Sequence, residues 1–99
     1  MAKKNMSRLW LENVPQDKVF WCRRDGKVVR NMDELAAALR QMSEETFRYH
    51  ATGQKNDFIT WVRDVIGDMT LTNQLKKAAS PATSARKVEL RLAWLKQRL

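Results

Sequence analysis

One stretch of the chain has the apolar spacing of an amphipathic helix and is bounded by residues that begin and end helices. Its apolar residues occupy positions i, i+3, i+4 and i+7: Phe58, Trp61, Val62 and Val65. This spacing places all four side chains on one helix face. Asn56 before the stretch is a typical N-cap, and Gly67 after it suits the left-handed residue that ends many helices. The pattern therefore predicts a helix between Asn56 and Gly67.

Four further helices are predicted from apolar spacing, caps and breaks. They span Asn31 to Met42, Glu44 to about His50, Asp68 or Thr70 to Ala79, and Ser84 to Leu99. Asn31 and Ser43 are candidate N-caps. The Ser-Pro-Ala-Thr segment at 80–83 is interpreted as a break between the last two helices.

A β-hairpin is predicted near the start of the chain. Residues 18–23 (KVFWCR) and 27–30 (KVVR) are rich in β-branched and aromatic side chains, and an Asp-Gly pair lies between them at 25–26. Asp-Gly favours a two-residue type I′ turn, in which both central residues have positive φ. The facing pairs would then be Arg23 with Val28, Cys22 with Val29, and Trp21 with Arg30. Phe20 and Cys22 are expected on one face of the hairpin, and Val19 and Trp21 on the other.

Together these elements predict an α+β fold in which an N-terminal β-hairpin packs on a four- to five-helix cluster, because two strands alone are marginally stable. Residues 1–16 are expected to form a basic arm anchored by Trp10. Residues 17–79 form the hairpin-plus-helices domain, and residues 84–99 form a basic amphipathic C-terminal helix. The core beneath the hairpin is predicted to hold four aromatic residues: Phe47, Tyr49, Phe58 and Trp61.

The charge of the chain is large and unevenly placed. Its 99 residues include 19 Lys and Arg against 11 Asp and Glu, a formal net charge of +8. Residues 1–32 carry eight basic and three acidic residues, residues 33–75 carry four and seven, and residues 76–99 carry seven and one. Both ends are therefore basic, which favours an anionic partner.

Catalysis, cofactors and metal binding have little support in the residue inventory. The chain has one histidine and one cysteine, which excludes a cysteine zinc cluster and an internal disulfide. Its three glycines are scattered and form no phosphate loop. Cys22 lies inside a predicted strand and is interpreted as a buried thiol rather than a nucleophile. We therefore expect no enzyme, no cofactor and no metal; a cleft gathering His50, Lys55 and Asp57 would point the other way.

The sequence also predicts a cytoplasmic protein. No apolar run is long enough to cross a membrane, and the first residues lack the apolar stretch of a signal peptide. Membrane-surface binding by the basic C-terminal helix ranks last, because that helix has no cluster of aromatic anchors.

The leading functional hypothesis is nucleic-acid binding through backbone phosphates without strong sequence specificity, with duplex DNA as the expected form. Lys and Arg contacts to phosphate supply affinity without reading sequence. The candidate residues come from the hairpin and the C-terminal region: Arg23, Arg24, Lys27, Arg30, Lys76, Lys77, Arg86, Lys87, Arg91, Trp94, Lys96 and Arg98. A helix-turn-helix centred on Gly67 is weakly indicated, because polar residues stand where its second helix should pack.

The alternative is a protein-interaction or homodimerisation module that uses the C-terminal helix. The apolar stripe of that helix is narrow: Val88, Leu92, Leu95 and Leu99. Leu90 and Trp94 lie outside it, so the helix would show apolar surface on more than one side. Such a helix suits a protein partner or a second copy of the chain.

Five motifs carry a resemblance to a known domain: VPQDKVFW, KVVRNMDELAAAL, ETFRYH, KNDF and WVRDVIGD, all within about residues 14–75. This stretch of roughly 60 residues resembles a small, mainly archaeal domain of unknown function. The resemblance implies an α+β module and brings no assigned catalytic residues. The same motifs also read as helix caps and core aromatics, and that interpretation explains each position without a ligand site. The arm before Val14 and the basic region after Lys76 lie outside the resemblance.

Overall fold

The computed structural model describes residues 6–22, 25–52 and 54–99. Its elements, in chain order, are α1 (Ser7–Leu11), a 3₁₀ turn (Gln16–Lys18), β1 (Phe20–Cys22), β2 (Lys27–Val29), α2 (Met32–Gln41), α3 (Glu44–His50), α4 (Asp57–Trp61), a π-helical turn (Val62–Ile66), α5 (Met69–Leu75) and α6 (Pro81–Lys96). The predicted α+β fold, a hairpin on a cluster of helices, is confirmed.

The hairpin forms where it is predicted, but in a different register. β1 and β2 are antiparallel, and the facing pairs are Phe20 with Val29, Trp21 with Val28, and Cys22 with Lys27. Cys22 faces Lys27, so four residues connect the strands instead of the two of the predicted type I′ turn, which is therefore wrong. Gly26 has φ 66°. The longer connection between Cys22 and Lys27 shifts the pairing, yet Phe20 and Cys22 still share the buried face. The alternation of faces is therefore confirmed while the register is corrected.

Helix starts follow local capping chemistry. In α2 to α6, the N-cap side chain accepts a hydrogen bond from the backbone N–H three residues later: Asn31 from Glu34, Ser43 from Thr46, Asn56 from Ile59, Asp68 from Leu71, and Ser80 from Thr83. The first three caps and the Asp68 start are as predicted. The last helix begins at Pro81 rather than Ser84, because Ser80 caps it and proline suits the first helical position. α5 ends at Leu75, four residues before the predicted end.

The central amphipathic helix widens near its end. Gly67 N–H donates to the Val62 carbonyl at 2.7 Å, an i→i+5 bond that makes the last turn π-helical. Gly67 then ends the helix with φ 89°, as its position predicts. Within the turn, Ile66 is buried while Val65 is only half-buried.

The core lies between the hairpin, α2, α4 and α6. α6 packs chiefly against α2 and contributes Ala85, Val88, Leu92 and Leu95 to the same apolar cluster. Two predicted core residues are exposed instead: Tyr49 by 53% and Leu99 by 70%. Leu99 lies beyond the end of α6, where the helical spacing no longer holds. The Trp61 indole N–H donates to the Lys18 carbonyl at 2.8 Å and ties the 3₁₀ turn to this core.

The segment predicted as a loose arm contains structure. Ser7–Leu11 form α1, and Trp10 packs against the core in a half-buried position. The lysines at 3 and 4 lie outside the described residues. Across the part of the chain that the structure describes, no helix has both the length and the apolar character needed to cross a membrane.

Candidate nucleic-acid interface

The hairpin cations are only partly available to a ligand. Arg23 and Arg24 lie outside the described residues. Lys27 donates from Nζ to the Gln41 side chain at 2.6 Å, and Arg30 pairs with Glu34 at 2.9 Å. The Arg30 guanidinium holds the pKa of the Glu34 carboxyl below its ordinary value, mainly through their side-chain hydrogen bond. Arg30 is therefore an exposed cation whose charge a neighbouring carboxylate offsets.

Arg91 has a structural role and is not retained as a candidate for phosphate binding. Its side chain is 8% exposed, and it donates from Nε to Asp68 Oδ2 at 2.7 Å and from Nη2 to Asp68 Oδ1 at 3.0 Å. Asp68 is itself fully buried. The Arg91 guanidinium also lies 5.7 Å from the ring centre of Trp10 and 4.5 Å from that of Trp94. Because Nε and Nη2 donate to Asp68 in the interior, this pair of Arg91 donors is not available to a phosphate.

The two cations at the C-terminal end of the chain, Lys96 and Arg98, also have intramolecular contacts. Lys96 pairs with Asp33 at 2.9 Å, which connects α6 to the start of α2. The Arg98 guanidinium lies 3.4 Å from the ring centre of Trp94, and its Nη1 donates to the Trp94 carbonyl at 3.1 Å. These two cations are exposed, but each already has an intramolecular contact.

Four other cations are different, and we call them the tail cations: Lys76, Lys77, Arg86 and Lys87. Within residues 6–22, 25–52 and 54–99, no carboxylate oxygen forms an ion pair with any of them. Three are exposed, and Lys87 is half-buried. By contrast, Arg40 is neutralised by Glu89. The side-chain hydrogen bond from Arg40 holds the Glu89 pKa below its ordinary value.

Two of the tail cations line grooves: Lys87 lines the groove between α5 and α6, and Lys76 lines the groove between α4 and α5. The α5–α6 groove has a volume of 490 Å³ and is lined by Thr70, Gln74, Lys87, Leu90, Arg91 and Trp94. The α4–α5 groove has a volume of 590 Å³, and Lys76 lines it together with Lys55 and Arg63. Neither groove has a carboxylate among its described lining residues. In the α4–α5 groove, however, Lys55 pairs with Asp57 and Arg63 pairs with Asp64, so Lys76 is the lining cation there without an ion pair among the described residues.

Trp94 has an exposed indole in the α5–α6 groove. It is 42% exposed, and Leu90 one turn earlier is 56% exposed. Trp94 and Leu90 are predicted from the sequence, whereas Thr70 and Gln74 on the opposite wall are not. Those two residues are four apart on α5, and this spacing on an exposed helix face was the only available signal.

The three residues that would have pointed to an enzyme do come together, and of the three Lys55 lines the α4–α5 groove. His50 Nδ1 lies 3.0 Å from Asp57 Oδ2, and Lys55 Nζ lies 3.5 Å from Asp57 Oδ1. The His50 side chain is only 3% exposed and lies among the rings of Phe20, Tyr49 and Phe58. This histidine joins α3 to α4 and lines neither groove.

Cys22 is a buried thiol. Its Sγ donates to Asp25 Oδ2 at 3.7 Å. Burial, followed by the nearby Asp25 carboxylate, raises the pKa of the Cys22 thiol above its ordinary value. The thiolate that a nucleophile requires is therefore disfavoured. Over the described part of the chain, no group of three His, Cys, Asp or Glu side chains is arranged to hold a metal ion.

Comparisons of the chain with protein-family models, curated proteins and solved structures gave no match.

Proposed function

We propose that the protein is a non-enzymatic nucleic-acid-binding protein that contacts backbone phosphates without strong sequence preference. The main support is that the tail cations form no ion pairs with carboxylates of the described residues. Arg30, Arg40, Arg91 and Lys96 form ion pairs with carboxylates, whereas Lys76, Lys77, Arg86 and Lys87 form none among the described residues. Arg86 does lie near enough to Glu89 to help lower the pKa of that carboxyl. An uncompensated cation gains more from a phosphate than one whose charge is already offset.

The expected binding free energy comes mainly from the phosphate charges of the nucleic acid and their counterions. Duplex DNA carries a dense line of phosphates with condensed counterions, and each cation that neutralises a phosphate releases counterions to the solvent. Lys76 and Lys77 directly follow α5, and Arg86 and Lys87 lie in the first half of α6. Lys76 and Lys87 each line a groove without a carboxylate among its described lining residues. Contacts of this kind position a protein on the backbone but carry no sequence information.

A pair of charge-matched variants tests the proposal. In the first, all four tail cations are replaced by glutamine: K76Q, K77Q, R86Q and K87Q. In the control, four exposed cations elsewhere are replaced: R8Q, K18Q, R40Q and R48Q. Binding to a fluorescein-labelled random duplex is measured by anisotropy at low salt. Both variants lose four positive charges, so a non-localised attraction weakens equally in both.

The proposal expects the tail variant to lose binding and the control variant to retain most of it. Equal losses in the two variants would show that net charge alone drives association. Circular dichroism on both variants checks that the helical content is unchanged.

The second candidate function is association with a protein partner or a second copy through Leu90 and Trp94. The observation that favours it is the exposure of these two large apolar side chains on one face of α6. Such a complex would tolerate salt and weaken when the anchors are truncated. Sedimentation velocity of the wild type and of an L90S variant, over a range of protein concentrations and salt, distinguishes it from phosphate binding.

A further inference from the structure

The α5–α6 groove combines three kinds of group along two facing helices. α6 supplies Lys87, Leu90 and Trp94 on one wall, and α5 supplies Thr70 and Gln74 on the other. Its volume of 490 Å³ lies within the range of about 300–1,000 Å³ that ligand-binding clefts occupy. The mixture of an aromatic ring, a cation and two neutral hydrogen-bonding side chains limits the chemistry of an occupant.

Trp94 is held in place without being buried. The Arg91 guanidinium lies 4.5 Å from its ring centre, and Arg91 is itself fixed by the buried Asp68 carboxylate. Arg98 lies 3.4 Å from the same ring centre and is exposed to solvent. The indole is thus oriented by cation–π contacts and remains 42% exposed. Arg98 lies over a face of the indole and is exposed, so a nucleobase would stack on Trp94 by displacing this side chain.

The other side chains that line the α5–α6 groove can contact the edge of a base and its phosphate. Gln74 and Thr70 offer both donors and acceptors, so they can contact base edges without selecting one base. Lys87 has no carboxylate partner among the described residues and can meet a phosphate. No lining residue of the α5–α6 groove is acidic. An anionic ligand with a planar aromatic part fits this combination.

We infer that the α5–α6 groove binds an unpaired nucleobase, with Trp94 as the stacking platform and Lys87 on the adjoining phosphate. This inference rests on the proposed function and narrows it, because a base within a duplex is stacked between its neighbours and cannot enter the groove. The protein then prefers single-stranded nucleic acid, or duplexes with unpaired ends, to a fully paired duplex. Duplex binding uses the tail cations alone.

The test compares single-stranded and duplex oligonucleotides of equal length at one low salt concentration. The variants are W94L, which removes the stacking ring, and W94F, which keeps a smaller one. The control is W21L, because Trp21 is 61% exposed on the outer face of the hairpin and does not line the groove. Affinities come from anisotropy with an oligo-dT strand and with a random blunt duplex.

We expect W94L to weaken oligo-dT binding by about 5- to 150-fold, the range measured for loss of one stacked base. W94F should recover part of that affinity, W21L should have no effect, and duplex binding should be the same in all four proteins. A W94L variant that binds oligo-dT like the wild type overturns the inference, and so does an equal loss on duplex. If the wild type binds neither oligonucleotide, the proposed function itself fails.

Discussion

Arg91 donates two hydrogen bonds to Asp68, 23 residues earlier in the chain, at 2.7 and 3.0 Å, in a position where both side chains are buried. The pair joins the start of α5 to the middle of α6, and Trp10 of α1 lies against the Arg91 guanidinium. Asp68 also caps α5 by accepting a hydrogen bond from the Leu71 N–H. One carboxylate therefore fixes three helices around the α5–α6 groove.

Breaking this pair should destabilise the fold strongly. D68A leaves the Arg91 charge buried without a partner, and R91M leaves the Asp68 charge in the same position. Each is expected to lower the free energy of unfolding by about 3–5 kcal/mol, measured by urea denaturation. The double variant D68A/R91M should lose much less than the sum, because it leaves no unpaired charge. Strictly additive losses would show that the two residues act independently.

The Arg40–Glu89 pair should make a pH-dependent contribution to stability, since it joins α2 to α6. The pKa of Glu89 is lowered in the folded state, mainly by its hydrogen bond with Arg40. Its contribution is therefore present above the pKa of the unfolded chain and disappears as the pH falls through the folded pKa. The E89Q variant should have a slightly lower urea midpoint than the wild type near neutral pH.

Below the lowered pKa of Glu89 in the folded state, the wild type and E89Q should converge, because Glu89 is then protonated in both the folded and the unfolded chain. The matched control is E12Q, which removes an exposed carboxylate that has no ion pair among the described residues. A difference between wild type and E89Q that persists unchanged in acid would contradict the assignment.

Gly67 should be intolerant of most side chains for a backbone reason. Its φ of 89° lies in the left-handed region, and a Cβ placed there would meet only the Trp10 indole nitrogen at 3.8 Å, an ordinary contact. The cost of G67A is thus conformational, about 1–2 kcal/mol of unfolding free energy. G67N should cost less than G67A, because asparagine adopts this conformation more readily. If both variants unfold at the wild-type urea concentration, this position does not require glycine.

The parts of the fold that follow from neighbouring residues were predictable. Asn31, Ser43 and Asn56 cap their helices through backbone groups three residues away, so a short window of sequence contains the whole interaction. The start of α6 was also readable, since Ser80 and Pro81 form a typical cap and first position, but the serine-proline pair was interpreted as a break.

Features that depend on distant partners could not be predicted from the sequence. Arg91 shares a helical stripe with Lys87 and Arg98, and nothing local distinguishes the cation that pairs with Asp68 from the two that do not. The hairpin register depends on the geometry of the connection between Cys22 and Lys27, which the Asp-Gly pair did not determine. The sequence therefore predicts a region of clustered cations. The structure is needed to distinguish the cations that form ion pairs from the tail cations, which form none among the described residues.

The central claim concerns phosphate contacts by the tail cations, and the salt dependence of wild-type binding tests it most directly. A fluorescein-labelled random duplex is titrated at several salt concentrations between about 50 and 200 mM, where four phosphate contacts give a slope of log affinity against log salt near −3.6. The account predicts that affinity falls by about 150-fold over this range. An undetectable complex at the lowest salt, or an affinity that does not change with salt, would contradict it.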